Sequence, residues 1–242
     1  GDYPSPATAT VVARKLGARC MAFDLSAACA GFLYGLELGI ASVRSGAERV
    51  LVLAADARSR FIDKGDRRAA VLFADAAAGV LLTPSHDSTG FLGTHMGAEG
   101  RERMGAWIPA GGALRPTSPE TVAAGEHFLQ VDRRQEIFEL FVGYTRQACD
   151  TALAQAGLSL DDIDLFITHQ GNARMVELVI EALGVDPARA INSVRHHGNV
   201  SGATVPLALA EAAEQGRIGP GSVVLMTSVG AGYTFGAAIH RF

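Results

Sequence analysis

Three side chains in this sequence have the types and settings from which catalysis is built. Cys29 stands in DLSAACAGFLYGL (24–36), a lone thiol among small residues that let backbone approach closely, followed by an apolar run of helical character. A helix beginning at or just after Cys29 would place the sulfur where unpaired amide N–H groups and the positive end of the helix dipole favour a thiolate, the reactive form. The same letters also describe a buried small residue in a tight helix–sheet contact, and the segment alone leaves both readings open. His169 closes an apolar stretch, and Asn199 sits in HHGNVSG (196–202). Both lie where a strand is expected to end or a helix to begin, the places where ligands gather in α/β architectures. Each has an ordinary structural alternative, a boundary histidine in one case and an amide-capped turn in the other. His196 and His197 read as turn residues.

The chain as a whole narrows the classes that could use such residues. Its 242 residues suffice for a substantial core, and 48% hydrophobic content with 28 glycines fits an α/β enzyme better than a disordered or coiled-coil protein. A net charge of −4 and scattered arginines give no electrostatic footprint for nucleic acid. Cys20, Cys29 and Cys149 show neither metal spacing nor a disulfide framework, so a reducing compartment is expected. No stretch has the length and continuous apolarity of a membrane span, and GDYPSPATAT lacks the features of a signal peptide. A soluble, cytoplasmic protein is the expectation.

The elements that must position these residues follow from pattern. TATVVARKLGA (8–18) reads as a short helix closed by Gly17, and ARCMAFDLS (18–26) as a short strand feeding the Cys29 turn. Residues 30–45 are the first clear helix. ERVLVLAADA (48–57) is a continuous apolar strand of the kind covered on both faces. RSRFIDKGDRR (58–68) is a polar interruption, suited either to an anionic ligand or to a solvated loop. AAVLFADAAAGVLLTP (69–84) resembles two strands joined by a turn at Asp75, and 85–130 is irregular, the kind of segment that covers or shapes a site. The longest helical pattern runs from Val131 to Ala156 and contains Cys149, which reads as a core or face residue. LSLDDIDLFITHQ (158–170) is a loop feeding a buried strand that ends at His169. NARMVELVIEALG (172–184) is a helix between Asn172 and Gly184. Residues 189–216 give a short strand, a polar turn with Asn199 and a helix, and 220–242 two strands around a glycine-rich turn. A Gly-containing turn followed by a buried strand recurs in SGAERVLVLAADA and IGPGSVVLMTSVG, which suits two related α/β halves.

Five segments, DLSAACAGFLYGL (24–36), GDRRAAVLFADAAAG (65–79), HQGNARM (169–175), RHHGNVSGATVPLALAEA (195–212) and GAGYTFGAAIHRF (230–242), together resemble the β-ketoacyl-acyl carrier protein synthase III branch of the thiolase-like condensing enzymes. The resemblance implies an α/β, thiolase-like layered fold of two related halves, with the N-terminal half incomplete in this chain. Residues 1–84 would be the remaining part of that half, with the nucleophile. Residues 85–130 would be a variable loop or insertion, and 131–242 the C-terminal half. It further implies that Cys29 takes an acyl group from a thioester, and that His169 and Asn199 hold the carbonyl of a second, malonyl thioester during decarboxylation. Gly232 would join the Cys29 N–H in an oxyanion hole. Arg67 and Arg174 would lie near the coenzyme A or carrier entrance, and Asn172 would support the histidine region. No cofactor and no metal are implied. The implied partners are acyl carrier protein and coenzyme A thioesters, with a homodimer as the assembly.

Departures from the family pattern qualify this. FADAAAG (73–79) stands where FGDGAG is usual, so Ala74 and Ala76 replace glycines and imply an altered turn. The glycine triplet reads GAG, with Ala231 in its middle, and HQGN replaces HQAN. These suggest a divergent member with an unusual acyl pocket or acceptor. Family chains carry further residues ahead of the point matching Gly1, and a sheet lacking them is expected to expose apolar edges and faces; this chain is then the retained part of a longer one, the missing part is a separate N-terminal fragment, or a partner chain replaces it. Two other functions fit the same residues: transfer of the Cys29-bound acyl group to an alcohol or amine, and a non-catalytic partner subunit of a condensing heterodimer.

Overall fold

The computed structural model describes residues 1–85, 87–102, 105–131 and 134–242, without the side chains of 134–136. In chain order the elements are α1 (Thr8–Lys15), α2 (Gly31–Arg44), β1 (Val50–Ala57), α3 (Arg67–Ala70), β2 (Asp75–Leu82), β3 (Gly90–Ala98), β4 (Ala106–Trp107) and α4 (Pro119–Ala123). They continue with β5 (Gln130–Val131), α5 (Arg134–Ala156), β6 (Leu165–Thr168), α6 (Ala173–Leu183), α7 (Val194–His197), α8 (Thr204–Glu214), β7 (Val223–Gly230) and β8 (Thr234–Arg241). None of the described helices is long and apolar enough to cross a membrane.

Every residue of β6 and β7 is buried, as continuous apolar runs require, so their sheet needs cover on both faces. The sheet has the order β3-β8-β7-β6, with β6 and β7 parallel and the other pairs antiparallel. Side chains alternate across it. Phe166, Leu225 and Ile239 join Phe141, Ala148, Val176 and Ile180 of α5 and α6 in one core. Leu165, Ile167, Val224 and Met226 join Phe32, Leu33 and Leu36 of α2 and Val205, Ala208 and Leu209 of α8 in the other. Beyond α2 and α8 lies the antiparallel pair β1–β2, from which Val52 and Ala54 reach into the second core. The result is four layers: α5 and α6, the four-stranded sheet, α2 and α8, then β1–β2. On the outward face of that pair Leu51, Leu53 and Leu81 are 45%, 49% and 57% exposed, so β1, expected from its apolar run to be covered on both faces, is covered on one only, and an exposed apolar face results.

Four local expectations are corrected. Residues 18–26 form no strand and have no sheet partner among the described residues; Asp24 instead caps α1, accepting from the amides of Thr8 (2.7 Å) and Ala9 (2.8 Å). Residues 69–84 hold one strand rather than two. Asp66 accepts from the Arg68 amide at 3.0 Å and starts the short α3, which consumes the first part of the apolar run. Ala74 and Ala76 alter no turn: among the described residues only Ala28 and Ser201 have positive φ without being glycine. The short strand expected near Ile191 is reduced to a single bridge between Ala190 and Phe166.

The segment 85–130 is also more regular than its composition suggests, because β3 pairs with β8 along Gly90–Ala98 and so belongs to the sheet of the C-terminal half. The long helix begins at Arg134; residues 132–133, at its anticipated start, lie outside the described residues.

Candidate active site

Cys29 lies in a 3-10 turn (Ala28–Ala30) that runs directly into α2, so the thiol does sit at a helix N-terminus. The turn is entered through Ala28 at φ +47°, a conformation that costs an L-residue roughly 1–2 kcal/mol and is held by its surroundings. Those surroundings are β7 and β8. The Ser228 hydroxyl donates to the Cys29 carbonyl at 2.7 Å, and the Thr234 hydroxyl donates to the Ala27 carbonyl at 2.7 Å. Gly230, at the end of β7, lies flat against the same segment: a Cβ there would stand 2.8 Å from the Cys29 nitrogen. The far ends of the C-terminal strands thus fix the backbone of Cys29. Burial pushes the Cys29 thiol above its ordinary value; the Ser201 hydroxyl and the charge of Arg58 pull it back, while Asp56 adds to the rise.

Ser201 is the centre of the site. Its Oγ lies 3.7 Å from Cys29 Sγ and accepts from Arg58 Nη2 at 2.9 Å. Its amide donates to Asn199 Oδ1 at 2.9 Å, and its carbonyl accepts from the Thr204 hydroxyl at 2.9 Å. Thr204 Oγ1 in turn lies 2.7 Å from His169 Nδ1. Through one residue, itself held at φ +55°, Cys29, Asn199 and His169 are tied into one hydrogen-bonded cluster.

His169 follows β6, its amide donating to the Thr227 carbonyl at 2.9 Å, and its side chain is buried. Burial, aided by Arg58 and opposed by Asp56, lowers its pKa to about 4, so the ring is neutral at ordinary pH. Gln170, the next residue in the chain, is itself buried and held on four sides. The Gln170 amide donates to the Thr168 and Ile191 carbonyls at 2.9 Å and 3.1 Å, and its oxygen accepts from the Ser193 and Val194 amides.

Asn199 is held by its backbone between Leu72 and Ala74, donating to Leu72 O at 2.8 Å and accepting from Ala74 N at 3.0 Å. Since its side-chain oxygen is taken by the Ser201 amide, the NH2 group is the part left for a ligand. The arrangement is a thiol beside a buried neutral imidazole and an oriented carboxamide, which suits nucleophilic acyl transfer coupled to stabilisation of a developing oxyanion.

The other residues singled out from sequence sit farther out. Asn172 caps α6, its oxygen accepting from the Met175 amide at 2.9 Å, with Gly184 in the left-handed region closing the helix. Arg67 is exposed at the start of α3. Arg174 is exposed on α6 and lies 3.8 Å from Glu177. Gly232 is in the turn between β7 and β8 at φ +132°; a Cβ built on it would find no atom of Cys29 within 4 Å, so the glycine packed on Cys29 is Gly230.

Ser201, Thr204 and the pair Asp56–Arg58 were not assigned roles from sequence. Small hydroxyl residues in a motif carry no distinguishing signal, and the positive φ that centres Ser201 in the site cannot be read from a serine.

Comparison with known proteins agrees with this architecture. The family model for 3-oxoacyl-[acyl-carrier-protein (ACP)] synthase III matches residues 23–100, and the model for its C-terminal part matches residues 153–242. The β-ketoacyl-[acyl-carrier-protein] synthase III of Symbiobacterium thermophilum is 39% identical, over 100% of this chain and 73% of that protein. A 3-oxopimeloyl-[acyl-carrier-protein] synthase of Rhodothermus marinus is 42% identical, over 100% of this chain and 70% of that protein. The crystal structure of the Thermus thermophilus β-ketoacyl-[acyl carrier protein] synthase III superposes with a TM-score of 0.90 at 35% identity, over 100% of this chain and 74% of that one. The chain belongs to the β-ketoacyl-[acyl-carrier-protein] synthase III family of thiolase-like condensing enzymes.

Proposed function

We propose that this chain carries out decarboxylative condensation with Cys29 as the nucleophile. The observation that carries the reading is the convergence of Cys29, His169 and Asn199 on Ser201. In the first half-reaction the Cys29 sulfur attacks the carbonyl of an acyl thioester. The tetrahedral oxygen is met by the Cys29 N–H and by an N–H of the 230–232 turn, the donor assigned from sequence to Gly232. The thiol of coenzyme A leaves, and the acyl group remains on Cys29. In the second half-reaction a malonyl thioester loses carbon dioxide. Its carbonyl oxygen, becoming an enolate, receives hydrogen bonds from His169 Nε2 and the Asn199 NH2 group. The carbanion attacks the acyl-Cys29 carbonyl, and the Cys29 thiolate is expelled as a 3-oxoacyl thioester forms. Every step uses side chains and backbone amides, so the scheme calls for no cofactor.

For His169 to donate from Nε2, its Nδ1 must be the unprotonated nitrogen, and the Thr204 hydroxyl must then turn its proton from Ser201 O to Nδ1. Thr204 therefore sets which tautomer the substrate meets. The partners of this reading are coenzyme A thioesters, as acyl donors, and acyl carrier protein, with exposed Arg67 and Arg174 as basic contacts on the approach and a homodimer as the assembly. The names of the relatives include a 3-oxopimeloyl synthase beside synthases of unspecified chain, so the acyl group belongs to this chain's own residues around Cys29.

The test is intact-protein mass spectrometry after incubation with a panel of acyl-coenzyme A thioesters, followed by peptide mapping and measurement of carbon dioxide from a malonyl thioester. Acyl mass on the peptide containing Cys29, lost in Cys29→Ala, with carbon dioxide release, is the expected result. Acylation followed by transfer to an alcohol or amine without carbon dioxide release would make the chain an acyltransferase of another kind. Absence of any acylated Cys29 would leave only the non-catalytic role.

A further inference from the structure

The polar stretch after β1 brings a cation to the nucleophile. Arg58 opens a 3-10 turn (Arg58–Phe61) that is locked to the start of β2, where Asp75 accepts from the Ser59 amide at 2.7 Å and the Ser59 hydroxyl at 2.6 Å. From there Arg58 Nη2 reaches Ser201 Oγ at 2.9 Å and Asp56 Oδ1 at 2.9 Å. Ser201 Oγ is itself 3.7 Å from Cys29 Sγ, so the guanidinium lies within two such contacts of the thiol. A simple hydrocarbon acyl group gains nothing from a cation there and would strip water from it at a cost. Asp56 does not use up the cation's capacity. Its other oxygen is held by the Gly202 amide at 3.0 Å, and among the described residues Arg58 Nε and Nη1 have no hydrogen-bond partner. Both bidentate forks of a guanidinium include Nη2, which Ser201 and Asp56 occupy, so Nε–H and Nη1–H remain as separate charged donors, each able to give a carboxylate oxygen one hydrogen bond.

We propose that Arg58 makes this an active site for an acyl group that itself ends in a carboxylate, the half-thioester of a short dicarboxylic acid, and that the Arg58 guanidinium binds that carboxylate. The proposal rests on Cys29 being the acyl acceptor. Atoms balance without any added reactant: the Cys29 thiol gives up its proton as its sulfur forms a bond to the thioester carbonyl carbon, the bond from that carbon to the coenzyme A sulfur breaks, and coenzyme A takes up one proton and leaves as its thiol. The distal carboxylate stays ionised on Arg58 throughout. Condensation with the malonyl-derived carbanion then releases a 3-oxo chain with a carboxylate at its far end.

The test compares glutaryl-coenzyme A with valeryl-coenzyme A, a diacid and a monoacid of equal chain length, as donors to Cys29 in the absence of malonyl thioester, read by intact-protein mass. The wild-type enzyme is expected to acylate with glutaryl faster by about tenfold or more, the worth of a charged hydrogen-bonded pair. Arg58→Met is expected to abolish that preference while still accepting valeryl, and Arg58→Lys, with charge but fewer donors, to keep part of it. Equal rates with both donors, or faster valeryl transfer, in the wild-type enzyme would overturn the proposal whatever the variants do. So would an Arg58→Met enzyme that loses both donors equally, which marks a structural role. Failure of every donor to label Cys29 would instead overturn the nucleophile assignment on which the proposal depends.

Discussion

His169 and Thr204 carry the most exposed predictions at the scale of single residues. A histidine whose pKa falls from 6.5 to about 4 on folding binds its proton more readily in the unfolded chain. Its contribution is therefore fully present above pH 6.5, is lost as pH falls towards 4, and amounts to on the order of 3 kcal/mol. Urea unfolding from pH 7.5 to 4 should show this acid-side loss in the wild type, and His169→Asn should be less pH-dependent by about that amount. An identical slope in both proteins would contradict the burial argument. Thr204→Val keeps the shape of the side chain and removes the hydroxyl that contacts His169 Nδ1 and that we propose selects the imidazole tautomer. Carbon dioxide release from malonyl thioester should drop by roughly 100-fold, the lower end for removing a positioned acid–base partner, with a much smaller effect on acylation of Cys29. Thr204→Ser should restore most of the loss; equal damage to both half-reactions would mean that Thr204 only supports the fold. Cys149, buried and pushed up to about 12, should stay unmodified by iodoacetamide in the folded enzyme.

Elements explain why parts of this site were legible and others were not. A buried strand ending in His169, and a helix capped by Asn172 and ended by Gly184, announce themselves, because burial on both faces and helix capping each restrict residue type strongly. Residues 18–26 misled because β propensity says nothing about whether a neighbouring strand exists. The run at 69–84 misled because the Asp66 cap competes locally for its first residues. Least legible were the positive-φ residues Ala28 and Ser201, whose conformations are imposed by β7, β8 and the 199–204 loop rather than by their own side chains. The end of β7 should accordingly be intolerant of a single methyl group. Gly230→Ala would place a Cβ 2.8 Å from the Cys29 nitrogen and 2.9 Å from the Ala27 carbonyl oxygen. A loss of roughly 1–3 kcal/mol in stability, together with slowed acylation of Cys29, is expected from thermal unfolding and single-turnover labelling. Gly143→Ala provides the contrast: it lies inside α5 with open space around it, so replacement should stabilise by roughly 0.5–1 kcal/mol and leave labelling unchanged.

For the whole molecule, the decisive feature is that one strand serves both cores and the Cys29 turn. Consecutive residues of β7 point oppositely, Leu225 into the core shared with α5 and α6, and Met226 into the core shared with α2 and α8. Two residues further on, Ser228 holds the Cys29 carbonyl. The two layers of helix therefore cannot lose their packing independently without releasing the strand that anchors the active site. Leu225→Ala and Met226→Ala, each removing a fully buried side chain, should each cost about 2–5 kcal/mol. Both should shift one common unfolding transition, in which α2 and α6 lose hydrogen-exchange protection together and Cys29 becomes freely alkylable at the same denaturant concentration. Separate transitions for the two helices, or a substitution in one core that leaves the other helix's protection unmoved, would show instead that the layers fold as separate units and that the active site depends on only one of them.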